Sequence, residues 1–184
     1  MKRVRDSQRG KLYRAERQHS AWSREKLLDT LTDVHEFVTH VTSRVWFIKR
    51  WEYSQAVKIG GVLKDRWDIR DGRGCRSARG SLHFMILPKW ARQPLVILHE
   101  MAHGLSRVRP AHGREFAETF LTLVHHTLGK VAGDELKRLF RENHVHFRPK
   151  RKGNPPSEKA LAALRLYREN RRLAANPPIG EMKP

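Results

Sequence analysis

Apolar residues recur at spacings of three and four in three stretches of this 184-residue chain, and each stretch predicts a helix with one buried face. The first runs from a Ser23 cap to about Thr42, with Leu27, Leu28, Leu31, Val34, Phe37 and Val38 on one side. The second starts at Pro94, which suits a first helical position, and carries Leu95, Leu98, Ala102 and Leu105. Pro110 disfavours helical geometry at Arg109, so this helix should stop near Arg107. The third spans Gly113 to Leu128, with Phe116, Phe120, Leu123, Val124 and Leu128 as its stripe and Gly129 as its C-cap. A shorter helix follows from an Asp134 cap to about Glu142.

Residues 44–90 read differently. Arg44–Trp51 is rich in β-branched and aromatic residues and predicts a strand. Val57–Leu63 predicts another, interrupted by Gly60-Gly61, and Asp71-Gly72-Arg73-Gly74 is a turn cluster. Ser81–Leu87 predicts a strand ending at Pro88. The fold class is therefore α+β. We divide the chain into a basic N-terminal arm at 1–21, a domain at 22–147, and a basic Pro-rich linker with a C-terminal helix and tail at 148–184. In that last part, Arg148–Pro156 is the linker and Ser157–Ala175 a basic helix with a thin stripe of Leu161, Leu164 and Leu173.

Charge adds a second signal, because the formal net charge is +19. Residues 1–17 carry seven basic and two acidic groups, and residues 148–184 carry ten basic and three acidic, so the arms hold +12 of the total. Such arms attract phosphates by counterion release, which makes nucleic acid a candidate partner; a solubilising tail without a partner is the other reading. One cysteine, Cys75, excludes an internal disulfide framework and fits a reducing cytoplasm. No apolar run follows the basic start, so no signal peptide is expected, and no stretch is long enough for a membrane span. We expect a cytoplasmic protein of a bacterial or phage-infected cell. Trp46, Trp51, Trp67 and Trp90 are read as packing residues before base-stacking platforms.

The candidate chemistry lies on the second helix, where His99-Glu100-Met101-Ala102-His103 reads H-E-x-x-H. Residues four apart share a helix face, so His99 and His103 can offer imidazole nitrogens to one metal ion. Glu100 is rotated by one residue and is placed to act on water as a general base, the catalytic residue of the site. A catalytic zinc takes three protein ligands. The metzincin extension would place a third histidine at 109, where this chain has Arg109. The open alternatives are His112 and the carboxylates Glu115 and Glu118. His83 could line a cleft from its strand, His125 or His126 could serve an oxyanion, and for each a solvated histidine is the plainer reading.

His99-Glu100-x-x-His103 followed by His112-Gly113-x-x-Phe116 resembles the SprT-like zinc metallopeptidases, whose second helix opens with the third ligand. The likeness is closer to a family of small H-E-x-x-H metallohydrolases of actinobacteria and their phages. Those also open with an Arg-Asp-x-Gln-Arg…Tyr…Glu stretch, here Arg5-Asp6-Ser7-Gln8-Arg9, Tyr13 and Glu16. The resemblance covers residues 5–147 and implies a minimal zincin-like metalloprotease core, with a small, mainly antiparallel sheet packed on the H-E-x-x-H helix. It also implies His99, His103 and His112 as ligands to one Zn2+, and the Ser81–Leu87 strand at the sheet edge beside the metal helix. The cysteine-rich ribbon of many SprT-like proteins cannot form with Cys75 alone. The functional expectation is a zinc metallohydrolase, foremost a metallopeptidase on a peptide or protein substrate, acting on nucleic-acid-associated proteins. The rivals are a nucleic-acid-binding protein with a structural or vestigial H-E-x-x-H and a zinc amidase or esterase for a small molecule.

Overall fold

The computed structural model of the chain describes residues 6–24, 26–51, 56–59, 62–65, 67–81, 84–106 and 111–147. His83, Arg107, Arg109, Pro110 and the linker and tail expected at 148–184 lie outside the described residues. The fold is α+β and mostly helical. Helices α1 (Arg9–Gln18), α2 (Ser20–Arg24), α3 (Leu31–Thr42) and α4 (Val45–Trp51) come first. Strands β1 (Ala56–Ile59), β2 (Val62–Asp65), β3 (Asp68–Asp71), β4 (Arg79–Gly80) and β5 (Phe84–Leu87) follow. A 3-10 turn at Lys89–Ala91 leads into α5 (Pro94–Leu105), α6 (Arg114–Thr127) and α7 (Lys130–Glu142). No helix among the described residues is long and apolar enough to cross a membrane.

The helix expected from Ser23 to Thr42 is two helices. Leu28 N–H bonds the Arg92 carbonyl at 2.9 Å and the Arg92 guanidinium bonds the Asp29 carbonyl at 3.2 Å, which holds that segment out of helical geometry. Thr30 then caps α3 reciprocally with Asp33, at 2.9 and 3.0 Å, and the two side chains satisfy donors that the first turn leaves free. Residues 45–51, expected as a strand, are also helical. Phe47 is fully buried and its ring meets Trp51, one turn on, at 4.7 Å, so aromatic packing at helical spacing overrides β propensity. At the other end α7 starts at Lys130 after Gly129, whose φ of +94 permits the break, so Asp134 is not its cap; Asp134 instead pairs with Lys130 at 2.7 Å.

The strands form two small units, in which two of the three pairings are antiparallel and one is parallel. Val57–Leu63 resolves into the antiparallel hairpin β1–β2, with Ile59 opposite Val62. Separately, β3, β5 and β4 form a three-stranded sheet in that order, β3 and β5 parallel, β4 and β5 antiparallel. Residues 84–87 therefore occupy the centre and not the edge; Met85 and Leu87 point into the core, and the edge beside α5 falls to Arg79–Gly80.

Helix α5 is buried on nearly every side, between the sheet, α3 and α6. Two glycines allow the sheet to approach it. A Cβ at Gly80 would meet the backbone carbonyl of Glu100, and one at Gly104 would lie 2.5 Å from the Ser81 carbonyl. Ser81 accepts from the Trp67 indole N–H at 2.8 Å across the same junction.

The largest revision concerns the N-terminus. The stretch assigned to a basic arm contains α1, whose Leu12 and Ala15 are fully buried and which packs on α7. The chain's contacts divide it only after Pro149. Gln8 secures the start of α1: its amide donates to the His112 carbonyl at 3.0 Å and accepts from the His146 backbone N–H at 2.5 Å. Residues 6–24 thus belong to the folded domain, with Gln8, Leu12, Ala15, Glu16, His19 and Ala21 buried in it.

Candidate metal centre

Helix α5 carries His99 and His103 one turn apart, their ring centroids 5.0 Å from each other. His112 stands just before Gly113, the N-cap of α6, and its ring lies 5.5 Å from His99 and 4.7 Å from His103. One ring nitrogen from each of the three lies within 4.8 Å of the other two. The three histidines are therefore close enough to hold one metal ion. Phe116, one turn into α6, contacts all three rings at 4.4 to 5.0 Å and closes the site on the core side.

The carboxylate alternatives are not part of this group. Glu115 is exposed in the first turn of α6, and Glu118 faces Arg50 at 3.8 Å. His126 stacks on Trp46 at 4.5 Å and His125 packs against Gly133, so neither joins the triad.

A second layer of side chains comes from the N-terminal segment. Asp6 Oδ2 is 2.6 Å from His112 Nδ1. With that carboxylate accepting from Nδ1–H, the lone pair of His112 sits on Nε2, a buried atom without a hydrogen-bond partner among the described residues. Glu16 is only 3% exposed, and its Oε1 lies 3.2 Å from His99 Nδ1, at ion-pair distance but off hydrogen-bond alignment. Tyr13 stacks on His99 at 5.5 Å and meets His112 edge-on at 5.3 Å. Two of three imidazoles thus have a carboxylate behind them, which orients the ring and raises its basicity as a ligand.

Burial sets the proton affinities. It holds His103, further opposed by the charges of His99, His112 and Arg9, well below the usual imidazole value, at about 2. Burial also lowers His112, outweighing the Asp6 contact. His103 and His112 are therefore neutral and ligand-competent at pH 7. At His99 burial is outweighed by Glu16, helped by Glu100, and the net shift is upward. Glu100 is raised by burial and by the Glu16 charge, against the pull of His99 and of a hydrogen bond from the Gly80 backbone. A buried carboxyl with raised proton affinity, held by a backbone donor, is suited to accept a proton from water. Beside it opens a cavity of about 310 Å³, bordered by His99, Glu100, Tyr13, Trp22, Trp90 and Val96.

In the sequence only the family likeness singles out Asp6, Gln8, Tyr13 and Glu16, and it gives them no role. A signal did exist. Gln8, Leu12, Ala15, Glu16 and His19 are all buried, at the spacing of one helix face. Three of the five are polar, so a search for apolar stripes passes over them. If the carboxylates orient the ligands, Glu16→Gln and Asp6→Asn should each weaken metal affinity about 10- to 100-fold. Competition titration against a chelator measures this, and unchanged affinity in both variants would remove the assigned role.

Comparison with protein-family models, with curated proteins and with solved structures finds no match to this chain.

Proposed function

We propose that the protein is a zinc-dependent metallohydrolase, foremost a metallopeptidase, with His99, His103 and His112 as metal ligands and Glu100 as general base. One observation carries this reading: three imidazole nitrogens gather within 4.8 Å, one of the rings holding a buried Nε2 that no group among the described residues satisfies. The donor set suits the assignment, since imidazole is a good zinc ligand and three protein ligands leave room for a reacting group. Zinc in such a site supplies Lewis acidity to water and to a substrate carbonyl. The chain's own residues do the rest. Glu100 takes the proton from the attacking water and holds it on its carboxyl, where the Gly80 backbone keeps the group in place. Asp6 and Glu16 keep His112 and His99 turned to the metal. Edge strand β4 beside α5 supports a zincin-like core and leaves a strand edge near the cleft for an extended peptide. The formal charge of +19 supports substrates that are proteins held on nucleic acid.

Metal content tests the site. The purified full chain at pH 7 is expected to hold one equivalent of zinc, and His112→Ala to lose it, while Glu115→Ala and Glu118→Ala keep it. A chain that takes up no stoichiometric zinc would sink the proposal.

A further inference from the structure

We propose that the cleft beside Glu100 selects peptides with an acidic side chain near the scissile bond, recognised by Arg9, Arg17 and Arg76; this rests on the peptidase reading above. Arg9 and Arg17 come from α1 and Arg76 from the loop before β4, yet all three border the same 310 Å³ cavity as His99 and Glu100. All three are exposed. Among the described residues none of them pairs with a carboxylate, whereas Arg50, Arg70, Arg92 and Arg138 do.

The two acidic groups of the cleft do not neutralise that charge at its mouth. Glu16 is buried against His99, and Glu100 is buried under the Gly80 backbone. The mouth is thus cationic while the walls are Tyr13, Trp22, Trp90 and Val96. Apolar walls focus the field of charges at a cleft and raise the local concentration of anionic ligands. Arg9 lies 5.5 Å from the Tyr13 ring centre, which holds its guanidinium at the mouth. Trp90, 47% exposed, forms a flat wall that a peptide can cover.

Carboxylate is the fitting anion. The guanidinium fork matches its two oxygens, and the cavity is at the small end of ligand pockets, sized for a side chain and its adjoining backbone. Single-stranded nucleic acid would also bring anions and stacking bases, but it is bound along extended basic grooves that track several nucleotides. A cavity this small beside Glu100 favours the peptide.

The test uses the zinc-loaded full chain bearing Glu100→Gln, which binds without turnover, and short matched peptides differing only in one Glu, Gln or Lys. Tryptophan fluorescence reads the affinity. The Glu peptide should bind roughly five- to tenfold tighter than the Gln peptide, with Lys weakest, and the spread should shrink as salt rises. Arg76→Glu and, separately, Arg17→Glu, both at exposed positions, should reverse the order of Glu and Lys. Equal affinities for the three peptides, or an order that survives both reversals, would overturn the proposal. So would a single-stranded oligonucleotide that displaces the Glu peptide at concentrations below that peptide's own Kd. If the preference holds but the wild-type zinc-loaded chain cleaves none of the peptides, the peptidase reading fails while the acidic selectivity of the cleft stands.

Discussion

Deleting residues 1–17 is expected to abolish both the folded domain and its metal binding. The deletion removes most of α1 with the fully buried Leu12 and Ala15, and it opens the face of α7 on which that helix packs. Truncating a single buried leucine to alanine costs about 2–5 kcal/mol, a large part of the roughly 5–15 kcal/mol by which a domain is stable. Here a whole layer is lost. The same deletion takes Asp6 from His112, Glu16 from His99, and the Gln8 amide that ties the His112 loop to residue 146. Circular dichroism should show loss of cooperative unfolding, and dialysis against zinc should return a protein without bound metal. Removing residues 150–184 is the contrasting variant, since the chain's contacts divide after Pro149. It should unfold as cooperatively as the full chain and keep its zinc. It also tests the role of the tail's positive charge, because DNA affinity that depends steeply on salt should fall with that deletion. A Δ1–17 protein that melts cooperatively and retains zinc would show that α1 is an appendage after all.

That contrast locates what was legible in the sequence. The metal helix was readable because its signals agree: Pro94 at the first position, an apolar stripe, and H-E-x-x-H within one segment. Helix α6 was readable from its own apolar stripe, and His112-Gly113 stands at its entrance. The failures have a common cause, which is that tertiary partners decided the outcome. Helix α4 reads as a strand from Val45, Trp46, Phe47 and Ile48, but its aromatic rings pack at one-turn spacing, leaving Val45 and Ile48 exposed. The break before α3 depends on Arg92, more than sixty residues on, which local propensity does not contain. Three of the five buried residues along the face of α1 are polar; Gln8 and Glu16 among them meet the His112 loop and His99, and their polarity hides the helix from a hydrophobic search.

Glu100→Gln is expected to lower peptide hydrolysis by about 10²–10⁴-fold while leaving zinc content unchanged. The substitution keeps volume and keeps an oxygen for the Gly80 backbone donor, so the packing of α5 against β4 is preserved. What it removes is the capacity to take a proton, and the loss should therefore fall on kcat with KM little altered. The separation from the ligands is structural: His99, His103 and His112 form the cluster, and Glu100 lies next to them facing the cleft. Gly80→Ala offers a second route to the same group, because the added Cβ would meet the Glu100 backbone and must displace either the strand or the helix. It should lower stability by roughly 1–3 kcal/mol and lower activity as well, with the three ligands still present. Steady-state rates on a cleavable peptide, taken together with metal analysis of each variant, distinguish the outcomes. Full activity in a zinc-loaded Glu100→Gln protein would take the general base away from Glu100. Loss of zinc in that variant would instead make Glu100 part of what holds the site together, and the division of labour along His99-Glu100-x-x-His103 would have to be redrawn.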